Sequence, residues 1–203
     1  MHYNNFKEGH TMFFSPLIHK ACELATRIHE LDTHKKRKGK DIPYITHPLT
    51  VGLILGRVSL DENIIAAGIL HDTIEDCEPY GSITKEYLEK QFNTNVARMV
   101  NDVTEQDKTL SWMERKMAAL DHIKDMKHDS LLVKSADVLH NLSELNEDIE
   151  NRGAEVFSSF NASKEDTLLR YQKLIPEIAK AWPENPLLPD LQTELSKLLE
   201  LTK

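Results

Sequence analysis

Apolar residues recur at the three-to-four-residue spacing of a helix almost from end to end of this chain, and no stretch alternates β-branched or aromatic residues with polar ones between turn residues. An all-α fold is therefore expected. Ser15-Pro16 supplies a cap and a first-turn proline for a helix carrying Leu17, Ala21, Leu24, Ala25 and Ile28, with its end near Leu31. A polar, basic loop from His34 to Pro43 follows, and Pro48 opens a second helix with His47 at its entrance. Asp61 is placed to cap a third helix, predicted to run unbroken to about Asp76. Short helices are expected over Thr84 to Phe92 and Asn95 to Val103, a Ser111/Glu114 capping box starts the next, and Asp129 to Glu150 forms a long one. Gly153 to Ala162 reads as a linker before closing helices over Ser163 to Ala181 and Pro189 to Leu201. The expected organisation is a tail over 1–14, a catalytic-sized helical core over 15–150, and C-terminal helices over 151–203 packing on that core.

Charge and cysteine usage narrow the partners. A formal net charge of -8 argues against broad nucleic-acid binding, which depends on neutralising many phosphates, while a small anionic ligand stays compatible. No apolar run approaches the roughly 20 residues needed to span a membrane, and the first residues lack the apolar core of a signal peptide. Cys22 and Cys77 form neither a disulfide framework nor a paired-cysteine zinc motif. The expectation is a cytoplasmic protein with a small-molecule partner, no membrane or nucleic-acid partner, and either a single chain or an oligomer as its working form.

Two polar helix faces carry the chemistry. At about 100° per residue, His71, Asp72, Glu75 and Asp76 fall within an arc of roughly 140°, opposite Ala66, Ala67, Ile69, Leu70 and Ile74. Gly68 lies on that ionisable face, where the missing side chain is expected to leave room for a ligand. Lys134, Asp137 and Asn141 share an arc of about 60° on the long helix, opposite Leu131, Leu132, Ala136, Val138, Leu139 and Leu142. Singly, each of these residues reads as a solvated charge or a satisfied histidine. Together, two ionisable faces beside a core are best satisfied by meeting across a metal or an anion, because unpaired buried charge is costly. Histidines with carboxylates favour manganese, iron or zinc over calcium.

Three ordered motifs extend this: Tyr44-Ile45-Thr46-His47-Pro48, then Gly68-Ile69-Leu70-His71-Asp72-Thr73-Ile74-Glu75-Asp76, then Lys134-Ser135-Ala136-Asp137-Val138-Leu139-His140-Asn141-Leu142. They resemble the RelA/SpoT-type hydrolase branch of the HD superfamily, particularly its small stand-alone members. The likeness runs from about the first helix to Leu145 and includes Val103-Thr104, Asp107 to Leu110 and Glu114-Arg115-Lys116. It implies an HD-domain helical bundle with one manganese ion, or iron or zinc in its place, held by His47, His71, Asp72 and Asp137. By the same resemblance Glu75 and Asp76 are the catalytic dyad that orients water and manages its proton. Arg37, Lys38 and Asn141 match substrate contacts of the family; Lys116 and Lys134 are weaker candidates that could simply neutralise carboxylates.

The resemblance implies removal of the 3′-pyrophosphate of guanosine tetra- or pentaphosphate (ppGpp, pppGpp), the stringent-response alarmones, to give GDP or GTP. This chain departs from the family at Ser143 and Glu144, where arginine and then threonine or aspartate are common. Two alternatives follow: the same metal site acting on another nucleotide, such as the 2′-phosphate of NADPH, or a module that binds a nucleotide or partner without turnover. Glu75 and Asp76 weigh against the latter, since a pure binder of anions has no use for two further acids.

Overall fold

Helix starts in this chain are set by side chains that capture the free N–H groups of a first turn. Ser15 Oγ accepts from Ile18 N at 3.2 Å and Pro16 occupies the first turn of α1, Pro16–Thr26. Its winding then loosens into a π-helical turn, Arg27–Asp32. Helix α2 spans Thr46–Val58, and α3, Glu62–Leu70, is capped by Asp61 accepting from Asn63 N at 2.9 Å. After the single-turn α4, Thr73–Asp76, come α5, Lys85–Gln91, capped by Thr84, and α6, Thr94–Val103, capped by Asn93. Helices α7, Trp112–Ile123, and α8, His128–Arg152, precede a 3-10 segment, Gly153–Ser159, and then α9, Lys164–Ala181, and α10, Leu188–Leu201.

This computed structural model describes residues 14–77, 83–105, 109–110 and 112–203, without the side chains of Trp112, Met113 and Lys116. Ser111 and the capping box assigned to it lie outside the described residues. Among the described residues there is no strand, only an isolated bridge between Lys36 and Pro43, and no helix is long and apolar enough to cross a membrane.

Helix α3 is the hub. It packs against α1, α2, α6 and α8, burying Ala66, Ala67, Ile69 and Leu70. The 25-residue α8 is the spine: Leu131, Leu142 and Val138 are fully enclosed, and α10 lies along it while α9 joins α10 to α7. Burying each such leucine or valine contributes about 1.5–3 kcal/mol before chain entropy is subtracted.

Two expectations need correcting. The third helix does not run to Asp76. Thr73 Oγ1 donates to Leu70 O and His71 Nδ1 donates to Gly68 O, each at 2.7 Å, so side chains take carbonyls that another turn would use. His71 and Asp72 consequently sit in a turn between α3 and α4. Nor does Gly68 make room for a ligand. A Cβ there would lie 2.2 Å from Leu55 Cδ1 and 3.3 Å from Val51 Cγ1, so the glycine admits α2 against α3, as Gly52 does from the other side against Ile69.

Leu55 is fully buried and cannot swing away, so overpacking should cost Gly68→Ala about 1–3 kcal/mol despite alanine's better helix propensity. Urea titration should show a lower midpoint with an unchanged slope; an unchanged midpoint would mean the interface yields freely.

The basic loop is pinned rather than free. Arg37 N donates to Ile42 O at 2.9 Å and Tyr44 N to Lys35 O at 2.8 Å. Gly39, at φ 68°, tucks against the 3-10 segment, where a Cβ would lie 2.7 Å from Ser159 Oγ. Arg152 Nη1, at the end of α8, donates to Gly39 O at 3.2 Å, so the loop is held where α8 meets the segment expected as a linker.

A candidate metal centre and the cavity beside it

The turn that ends α3 and the entrance of α2 bring two imidazoles together. His47 Nε2 and His71 Nε2 lie 3.2 Å apart, and Asp137 Oδ1 from α8 lies 3.4 Å from the first and 3.7 Å from the second. The ligand atoms of His47, His71 and Asp137 all fall within 4.8 Å of one another. Asp72 Oδ2 stands 3.0 Å from His71 Nε2 and 3.8 Å from His47 Nε2.

What sits on the far side of each ring decides what the near side can do. His71 Nδ1 faces Gly68 O at 2.7 Å; a carbonyl only accepts, so Nδ1 carries the hydrogen and a neutral ring directs its Nε2 lone pair into the cluster. His47 Nδ1 faces His140 Nδ1 at 2.7 Å, and with the hydrogen on His47 its Nε2 lone pair converges on the same point. Two imidazole lone pairs and two carboxylates directed at one space fit a divalent cation, and imidazole selects for transition metals.

The electrostatics agree. Burial alone would lower the His71 pKa, but the Asp72 carboxylate, its hydrogen bond and Asp137 reverse this and carry it to about 9. A proton on Nε2 thus competes with a metal for the same nitrogen. Burial opposes ionisation of Asp72 and Asp137 too, yet His71 beside the first, and Lys134 with both histidines beside the second, hold both well below the usual carboxylate range. Burial also keeps His47 low despite Asp137, favouring the neutral form that ligates.

Around these four lies a set of supporting contacts. Tyr44 Oη donates to Asp72 Oδ2, Lys134 Nζ to Asp137 Oδ2 at 3.0 Å, and Asn141 Nδ2 to Asp137 Oδ1 at 2.6 Å. Lys134 and Asn141 therefore orient a carboxylate of the cluster besides lining the adjoining cavity of about 320 Å³.

Glu75 lines that cavity and accepts from Glu105 N at 2.7 Å. Burial and then the negative charge of Asp72 push its pKa up to about 7. Asp76 lies outside the cavity lining: Lys35 Nζ donates to its Oδ2, and the fully buried His29 Nδ1 is 3.3 Å from the same oxygen. Arg37 and Lys38 both line the cavity, with Arg37 Nε donating to Glu144 Oε2 at 2.8 Å and Nη2 to Asn141 Oδ1 at 2.9 Å. The side chain of Lys116 lies outside the described residues. Of the two departures from the family pattern, Glu144 enters the cavity, while Ser143 lines a separate recess with Ile54 and Asp190.

Several participants were not read from the sequence. His140 orients His47, and Thr167, Arg170 and Tyr171 form the α9 wall of the cavity. Their i, i+3, i+4 spacing puts the last three on one face, a signal that was present but carried no metal-ligating residue to draw notice. Lys36 also lines the cavity, and its ammonium pairs with exposed Asp41.

Residues 21–168 match the family model described as HD domain. Over 130 residues the chain is 41% identical to guanosine-3′,5′-bis(diphosphate) 3′-pyrophosphohydrolase MESH1 of Danio rerio, an alignment covering 63% of this chain and 68% of that protein. It is 36% identical to the Homo sapiens protein of the same name over 129 residues, with the same shares. A GTP pyrophosphokinase of Myxococcus xanthus is 32% identical over 190 residues, 90% of this chain but 22% of that much longer protein. The solved structure of a metazoan orthologue of SpoT that hydrolyses ppGpp matches with a TM-score of 0.72 over 93% of this chain and 96% of that one, at 23% identity, which is agreement in fold.

Proposed function

The chain belongs to the HD-domain family, in its RelA/SpoT-type branch, and from that premise we propose that it hydrolyses the 3′-pyrophosphate of guanosine tetra- and pentaphosphate, releasing pyrophosphate with GDP or GTP. The observation that carries this reading is the convergence of His47, His71 and Asp137, with Asp72 alongside, at the wall of a cavity that also holds Glu75 and a set of cations.

His47, His71, Asp72 and Asp137 would hold one divalent cation; the mixed imidazole and carboxylate donor set suits manganese, iron or zinc, and the family resemblance selects manganese among them. When bound, that ion supplies Lewis-acid polarisation of the phosphoryl oxygens and a lower pKa for water in its shell. The chain's residues do the rest. Glu75 accepts a proton from the attacking water, a role suited to a carboxylate whose pKa sits near neutrality. The water oxygen bonds to phosphorus, the bond from phosphorus to the ribose 3′ oxygen breaks, and that oxygen leaves with the proton that Glu75 took from the water. Asp76, tied to Lys35 and close to His29, keeps α4 and thereby Glu75 in position. Arg37 and Lys38 meet the nucleotide, as guanidinium and ammonium groups suit phosphate and base, and Asn141 contacts it from α8.

Metal-stripped protein incubated with guanosine tetraphosphate, with and without added Mn²⁺, tests this. GDP and pyrophosphate released only with metal is the expected result. No product from guanosine tetraphosphate, with inorganic phosphate released from NADPH in a parallel incubation, would point instead to a 2′-phosphomonoester substrate, and binding without product from either would remove the catalytic reading.

A further inference from the structure

The cavity is lined by more positive charge than its own carboxylates neutralise. Lys35 is paired with Asp76, Lys36 with Asp41, and Arg37 and Lys40 with Glu144, while Lys134 is paired with Asp137. Two cations lining the same cavity, Lys38 and Arg170, have no carboxylate partner among the described residues. They come from different elements: Lys38 from the basic loop, next to Gly39, and Arg170 from α9.

Their charges act on each other. Partial desolvation, then the charges of Lys35, Arg170 and Arg37, lower the Lys38 pKa. Like charges held together beside a cavity are a cost that an arriving anion removes. A guanidinium fork and an ammonium point charge together suit the oxygens of a phosphate group. The metal cluster cannot be the source of that anion, since its carboxylates are already engaged by His71, Tyr44, Lys134 and Asn141.

We propose that Lys38 and Arg170 form a second phosphate subsite, which holds the 5′-phosphates of the nucleotide while its 3′-pyrophosphate lies at the metal cluster. This rests on the reading of the cavity as an alarmone site and assigns, within it, the residues that hold the 5′-phosphates. Arg170 lies on α9, two residues past the end of the family-model match.

Equilibrium binding separates the subsite from the reaction. GDP, which carries only 5′-phosphates, and guanosine 3′-monophosphate, which carries none, are titrated into Mn²⁺-loaded full-length protein and into the Arg170→Ala and Lys38→Ala variants. GDP affinity should fall about tenfold in each variant, as expected for loss of one charge-assisted contact, while guanosine 3′-monophosphate binds with unchanged affinity. Arg170→Lys should restore part of the loss. Unchanged GDP affinity in both variants would overturn the subsite, as would an equal loss for guanosine 3′-monophosphate. Because no turnover is measured, failure of the hydrolase reading would show in the product assay with guanosine tetraphosphate and not here.

Discussion

Glu75→Gln should reduce kcat by about 10²–10⁴-fold while leaving KM within a few-fold of the original, because the amide keeps the shape but cannot take the water's proton. The same substitution should stabilise the metal-free protein at alkaline pH. Glu75 has a folded-state pKa raised to about 7 from an ordinary 4.5. A raised carboxyl pKa means the folded state binds the proton more tightly than the unfolded chain, so the associated stability is present below about pH 4.5 and is lost as pH rises through about 7. The glutamine variant lacks that loss. Urea midpoints of metal-stripped wild type and variant should therefore coincide near pH 4.5 and diverge by pH 8, with the variant the more stable. A bound cation favours the carboxylate form and should shrink the gap. An active Glu75→Gln enzyme would end the assignment of Glu75 as base; parallel midpoints at all pH values would show that its carboxyl is not perturbed.

Metal binding should expel about one proton at neutral pH and strengthen about a hundredfold between pH 7 and 9 before levelling off. The reason is His71, whose pKa of about 9 puts a proton on the nitrogen that a metal needs. The sign for stability is the reverse of what the metal sees. The raised histidine pKa stabilises the bare protein fully below about pH 6.5, and this contribution is lost as pH climbs through about 9. Metal replaces the proton, so the increase in melting temperature on adding Mn²⁺ should be largest at alkaline pH. Calorimetric titration in two buffers of different ionisation enthalpy counts the protons; none released, with a flat affinity profile, would mean that His71 is already neutral in the bare protein.

Most of the fold could be read from the chain because caps and apolar stripes are local. Ser15, Asp61, Thr84, Asn93 and Ser163 each start a helix through a hydrogen bond to a residue two or three positions on. The break after Leu70 was not legible, since periodicity continues through it and only the Thr73 and His71 bonds to backbone carbonyls reveal it. Gly68 was misjudged for a related reason: a helical projection gives the direction of a face but not whether Leu55 or a ligand fills it. His71, Asp72 and Asp137 stood out because ionisable residues are uncommon beside a core, and the family resemblance completed the proposed ligand set with His47. Arg170 and Tyr171 were not, because they join the cavity only through the return of α9, more than twenty residues beyond the last motif.

That return of α9 separates two kinds of change. The ligand cluster lies between His47 and Asp137, within the residues matched by the family model, whereas the far wall of the cavity includes Arg170 and Tyr171, just past the end of that match at residue 168. Drift in a single late helix could therefore exchange one nucleotide for another while the hydrolytic centre stays intact.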